Sequence, residues 1–172
     1  PNLDVWRPAD TAETAAAFLK QFEGIERTKT EVLGLLAHRG FPKKTTEHVI
    51  KKWGSDAATI IRRCPHYLMA FRGCGFLKTD KMYLELGLKP DRLKRQALCA
   101  WHAIARDSEG HTWFPLSLAQ GAIQRSVSGG LLRAEDATEL AVRAGMLAVR
   151  EQNGCLWVAE KKANTPRRLQ MG

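Results

Sequence analysis

Arg72-Gly73-Cys74-Gly75-Phe76-Leu77-Lys78 and, earlier in the chain, Arg39-Gly40-Phe41-Pro42-Lys43-Lys44-Thr45 are the two stretches that decide how this sequence is read. Each is a tight glycine-bearing turn followed by a cationic helix start. Such a turn aims backbone N–H groups and the positive end of a helix at an anion. Two in tandem would hold two points on one phosphate backbone. The charge distribution agrees: residues 39–95 carry 14 Lys/Arg against 5 Asp/Glu, a surplus equal to the whole chain's net charge of +9. The remainder is balanced. A cationic segment coinciding with two anion-facing turns is the electrostatic footprint of a nucleic-acid binder.

Helix, tight turn, helix is a helix-hairpin-helix arrangement. Its turn needs glycine because the backbone makes the contact and a Cβ would obstruct it. In the second copy, Phe71, Cys74, Met82 and Leu86 are expected to pack the two helices together. Lys78 and Lys81 open the following helix within reach of phosphate oxygens. In the first copy Pro42 has no N–H to offer, so Lys43, Lys44 and Thr45 carry more of the contact. The candidate binding residues of the two turns are therefore Gly40, Lys43, Lys44, Thr45, Arg72, Gly73, Gly75, Lys78 and Lys81.

Outward from the turns, the first half reads as short helices. Asp10-x-x-Glu13 and Thr28-x-x-Glu31 look like capping boxes that open helices over 11–22 and 29–38. Lys44–Trp53 closes at Gly54, Asp56–Arg63 follows, and Pro65 starts a short helix through Met69. Lys78–Leu86 ends at Gly87. Asp91–Asp107 is the longest segment, with Leu93, Ala97, Leu98, Trp101 and Ile104 as its inner stripe.

The pattern changes after Gly110. His111–Phe114 is a short strand candidate, Pro115–Arg125 and Ala134–Arg143 read as helices, and Ser126–Gly130 is a flexible connection. Met146–Arg150 and Cys155–Ala159 form a β-hairpin about Asn153-Gly154, a pair that favours a two-residue turn with both φ values positive. That register sets Val149 against Val158, to pack on the adjacent helices, and Arg150 against Trp157 on the other face. Trp6, Trp53, Trp101 and Trp113 read as core residues, whereas Trp157 beside Arg150 is a base-stacking platform, a plain cation–π surface pair or a core residue. This order of elements is that of a winged helix. The expected fold is mainly α: residues 1–90 hold tandem helix-hairpin-helix motifs, 91–160 a winged-helix-like module with a short β-hairpin, and 161–172 a linker or the start of a following domain.

Other chemistries find little support. Cys64, Cys74, Cys99 and Cys155 form no C-x-x-C pair, and the five histidines form no metal-binding cluster. The histidines read as surface or capping residues, and the thiols as buried and free in a reducing cytoplasm. Gly73–Thr79 resembles a nucleotide-binding P-loop in outline, but Leu77 stands where glycine must precede Lys-Thr. No catalytic residue, metal site or cofactor is expected in this chain. No apolar run approaches the roughly 18 residues of a membrane span, so no membrane partner is expected. The start, Pro1-Asn2-Leu3-Asp4, is polar and lacks an initiator Met, and the chain reads as part of a longer protein.

Cys64-Pro65-His66-Tyr67-Leu68 leading into Arg72–Phe76, then Asp80 and Leu84-Glu85-Leu86-Gly87, resembles the segment ahead of the motor in RecD/TraA-type superfamily-one DNA helicases. Trp53-Gly54 and Glu109-Gly110-His111-Thr112 with Pro115 match as well, and the resemblance covers roughly residues 15–160. It departs at Pro42, and at Leu77, where that family often has a basic residue. The resemblance implies an accessory region of an ATP-dependent DNA helicase, with ATP and Mg used by a motor in the same polypeptide. This chain would grip duplex or a single-/double-strand junction without base specificity. It would act as a cytoplasmic monomer in DNA repair or recombination. Arg150 and Trp157 complete the candidate DNA-binding set. Two other functions stay open: a protein-interaction module of a recombination or replication protein, and the DNA-recognition part of a repair nuclease.

Overall fold

The computed structural model describes residues 8–106 and 113–161. It is mainly helical, with a small antiparallel sheet. The chain forms two compact units, 1–63 and 64–172.

The first unit contains α1 (Pro8–Leu36), α2 (Thr45–Trp53), a 3₁₀ turn (Gly54–Asp56) and α3 (Ala57–Arg63). Two helices expected over 11–38 are one continuous helix of 29 residues. Thr28 does not cap it. The Thr28 hydroxyl donates to the Ser55 carbonyl at 3.1 Å, which ties the middle of α1 to the 3₁₀ turn. Gly24 is carried within the helix at a cost of about 1 kcal/mol relative to alanine, among strong helix formers and with no proline to break the run. Val32, Leu36, Val49, Ala57, Ala58 and Ile61 are the buried apolar residues described in this unit. The expected apolar face of Phe18, Leu19 and Phe22 is instead exposed by half or more.

The second unit opens with a 3₁₀ segment (Pro65–Ala70), then α4 (Phe76–Glu85) and α5 (Leu93–Arg106). β1 (Phe114–Pro115), α6 (Leu116–Ser126), α7 (Ala134–Arg143), β2 (Leu147–Gln152) and β3 (Cys155–Glu160) follow. The sheet order is β1-β3-β2. Asn153 and Gly154 both have positive φ, 54° and 73°, as an Asn-Gly hairpin requires. The register pairs Val149 with Val158 and Arg150 with Trp157, as read from the sequence. Only Val158 is buried, however; Val149 stays 44% exposed. β3 is the central strand, with Val158 also opposite Phe114 of β1, and Val149 lies on the edge strand.

α5 is the hub. Ala97, Leu98 and Ile104 are fully buried and join Ala119, Ile123, Ala137, Ala141, Leu147 and Val158 in one core. Polar residues of the same helix hold the surrounding loops. Arg95 is buried and forks onto Asp80 of α4, Nε to Oδ1 at 2.6 Å and Nη2 to Oδ2 at 2.7 Å. Its Nη1 donates to the carbonyls of Pro90 (2.6 Å) and Ser128 (2.7 Å). Gln96 donates to the Leu131 carbonyl and accepts from the Arg133 N–H, each at 2.8 Å. The connection after α6 is therefore fastened rather than loose. A Cβ on Gly130 would come within 2.8 Å of the Pro90–Asp91 backbone.

Candidate nucleic-acid interface

The first turn joins α1 to α2. His38 and Gly40 take positive φ, 62° and 74°, and the Thr45 N–H closes the bend on the Pro42 carbonyl at 2.9 Å. Lys44 is the N-terminal cap of α2 and offers no side-chain cap hydrogen bond. Lys43 and Lys44 are exposed, whereas Thr45 is only 1% exposed. The two lysines thus face solvent at a helix start, and the Thr45 side chain belongs to the interior.

The second turn joins the 3₁₀ segment to α4. The Cys74 N–H bonds the Phe71 carbonyl at 3.2 Å, and Gly73 supplies the left-handed residue with φ 82°. Gly75 is the α4 cap, at φ −78° and ψ 173°, with no side-chain cap hydrogen bond. The first closing bond is Thr79 N–H to the Gly75 carbonyl at 3.3 Å. The N–H groups of residues 76–78 therefore have no acceptor inside the helix. Lys78 folds back so that Nζ donates to the Gly73 carbonyl at 3.3 Å, which places its charge over the turn. Arg72, Lys78 and Lys81 are exposed; Cys74 and Met82 are buried, with Phe71 and Leu86 partly buried.

Gly73 and Gly75 differ in what the fold asks of them. Gly73 sits where side chains are strained. Gly75 has an ordinary conformation, and a Cβ there meets nothing closer than His102 Nε2 at 3.9 Å. The internal packing leaves space for a side chain at position 75.

Beneath the turn lies a polar cluster that the sequence reading missed. His66, expected at the surface, is 1% exposed, with Nε2 3.0 Å from Asp80 Oδ1 and its ring stacked on Phe76. Burial lowers its pKa against the opposing pull of Asp80. Nε2 donates to the Asp80 carboxylate, and among the described residues the buried Nδ1 has no hydrogen-bond partner. Burial raises the Asp80 pKa, but hydrogen bonds from Arg95 and His66 outweigh that and hold it below the ordinary value. His66 precedes the turn and Asp80 follows it, so their pairing clamps both ends of the hairpin onto Arg95. The spacing 66, 80, 95 has no helical or strand period, which is why no periodicity exposed it.

On the β-hairpin, Arg150 places its guanidinium 4.3 Å from the Trp113 ring centroid. The cation–π partner is thus Trp113, which had been assigned to the core. Trp157 lies between Arg150 and Pro115 on the central strand and is partly buried. The expectations for Trp6, His111 and residues 109–112 and 162–172 fall outside the described residues.

Residues 26–113 match the family model of the ATP-dependent RecD2 DNA helicase HHH domain. The chain belongs to this RecD2 HHH-domain family. It is also 28% identical over 149 residues to the ATP-dependent RecD2 DNA helicase of Deinococcus radiodurans. That alignment covers 86% of this chain and 20% of the relative, so the chain spans about a fifth of the length of the helicase it matches. The family match includes both turns and the His66–Asp80–Arg95 cluster. Among the described residues, no helix is long and apolar enough to cross a membrane, and no group of His, Cys, Asp or Glu is arranged to hold a metal ion.

Proposed function

We propose that this chain is a sequence-independent DNA-binding accessory domain of an ATP-dependent RecD-like helicase, gripping phosphates through its two hairpin turns. The observation that carries this reading is the second turn: an uncapped α4 start, exposed Arg72, Lys78 and Lys81, and a glycine at position 75 that the fold itself does not need. Backbone amides and Lys/Arg heads position a nucleic acid without reading its bases. Gly40, Lys43, Lys44, Gly73 and Gly75 complete the contact set, and Thr45, with its side chain buried and its N–H on the Pro42 carbonyl, supports the first turn from within.

Motifs divide the chain functionally at residue 90, into tandem hairpins (1–90) and a winged-helix-like part (91–160). The element order and the β1-β3-β2 sheet support the second assignment. Arg150 and Trp157 on that wing meet DNA or the motor. The parent polypeptide supplies ATP and Mg chemistry from its motor; this chain uses no cofactor of its own. It is a cytoplasmic monomer that holds duplex or a single-/double-strand junction during repair or recombination.

A fluorescence titration of labelled duplex at several salt concentrations tests the reading. Four to six phosphate contacts give a log–log salt slope of about −4 to −5. A flat slope, or strong discrimination among scrambled duplexes of equal length, defeats it. The exposed Phe18, Leu19 and Phe22 of α1 favour a second reading, a protein-interaction module. That reading expects salt-insensitive DNA binding or none.

A further inference from the structure

We propose that the groove beside the second hairpin is a cradle for single-stranded nucleic acid, with phosphates along the Arg72–Lys78 turn and bases over α5. This rests on the hairpin reading above and adds the form of the strand. The groove has a volume of about 1210 Å³ and is bounded by the turn, the last turns of α5 and the end of α6, all within the second unit. It exceeds the roughly 300–1,000 Å³ of a small-molecule pocket. Its lining is cationic on both sides: Arg72 and Lys78 on the turn, Arg106 on α5 and Arg125 on α6. Glu160 is the one carboxylate among the described lining residues.

Trp101 and His102, at successive positions of α5, line the same groove; both are half-buried, and Trp101 also packs against the core. A cationic track flanking aromatic faces is the chemistry that holds unpaired bases without sequence preference. A duplex keeps its bases stacked inside and offers such a groove only its phosphates. The imidazole of His102 also approaches the turn: a Cβ on Gly75 would lie 3.9 Å from Nε2. The phosphate-facing turn and the aromatic floor are therefore one continuous surface.

The test uses the 172-residue chain, fluorescein-labelled dT12 and a 12-base-pair duplex. Arg106 and Arg125 are exposed, so the double variant Arg106→Glu/Arg125→Glu keeps the fold, checked by circular dichroism. The expected result is a loss of about tenfold or more in dT12 affinity, with duplex affinity reduced less than about threefold. In parallel, 5-iododeoxyuridine placed in the same oligonucleotide should photo-cross-link to the tryptic peptide Gln96–Arg106, which contains Trp101 and His102. Equal losses for both DNA forms, or cross-links only outside that peptide, overturn the cradle. A parent chain that binds duplex but not dT12 overturns the cradle and leaves the hairpin reading standing. A parent that binds neither overturns both.

Discussion

Replacing Gly75 by alanine separates a glycine kept for folding from one kept for a ligand. At φ −78° and ψ 173° an alanine is unstrained, and its methyl group would contact only His102, at ordinary van der Waals distance. Removing glycine's freedom from the unfolded chain should then stabilise the protein by about 0.4–1 kcal/mol. The same change at Gly73, with φ 82°, forces a left-handed side chain and costs about 1–2 kcal/mol. Binding should move the other way. A Cβ at position 75 stands before the N–H groups that begin α4 and displaces a phosphate from at least one of them. A hydrogen bond to a charged group is worth about 1.5–3 kcal/mol. At about 1.4 kcal/mol per tenfold, Gly75→Ala should weaken duplex binding between about tenfold and a hundredfold, and Gly75→Val further. Lys43→Ala removes one exposed, screened cation and should cost less than either. Thermal melts and fluorescence anisotropy on the same samples give both quantities. A Gly75→Ala protein that is at least as stable as the parent and binds duplex within twofold of it would refute the reasoning, because the second turn would then not be the phosphate site.

Arg95→Met should destabilise the second unit by about 3–5 kcal/mol, since it leaves the Asp80 carboxylate buried without its partner; the double change Arg95→Met/Asp80→Leu should recover much of that loss in urea unfolding. Stability should fall on acidification: native His66 and His102 have lowered pKa values, so from about pH 6.5 downward the unfolded chain binds protons that the native chain does not. Asp80, also lowered, adds a further loss as pH falls through its native value, below 3.8; His66→Gln should flatten the melting-temperature profile between pH 6.5 and 5, and an unchanged slope would exclude His66 as a source. Trp157→Ala should weaken forked-DNA binding by about 1–3 kcal/mol if the ring stacks on a base; a large fall in melting temperature with unchanged binding would make Trp157 a core residue instead.

The elements that were legible in the sequence are those specified by local chemistry. Asn153-Gly154 fixes a two-residue turn, and the pairing of Val149 with Val158 follows from it by counting. Ala134–Arg143 was bounded correctly, and Gly54 marks the end of α2. What failed depended on partners distant in sequence. Thr28-x-x-Glu31 has the composition of a helix start, yet the Thr28 hydroxyl is used 27 residues away on Ser55. Val149 alternates correctly for burial, but its strand became the sheet edge because β1 pairs with β3. Arg150 found the ring of Trp113 rather than that of its cross-strand neighbour.

The candidate site divides in the same way. Its outer surface was legible, because glycines and lysines at a turn carry their meaning locally. Its support was not. His66, Asp80 and Arg95 come from three separate elements, and each alone resembles an ordinary surface residue; only the fold brings the histidine and the guanidinium onto one carboxylate. The consequence is mechanical. Asp80 lies in the third residue pair of α4 while His66 lies in the 3₁₀ segment before the turn, so one buried carboxylate sets the distance between the two arms of the hairpin. Arg95 then carries that carboxylate to the backbone of Pro90 and Ser128. On the proposed reading, in which the turn presents N–H groups to a phosphate, a flexible frame would cost affinity, because it would have to be ordered on binding. The buried cluster supplies the rigidity that a short 3₁₀ segment and a ten-residue helix would not have by themselves.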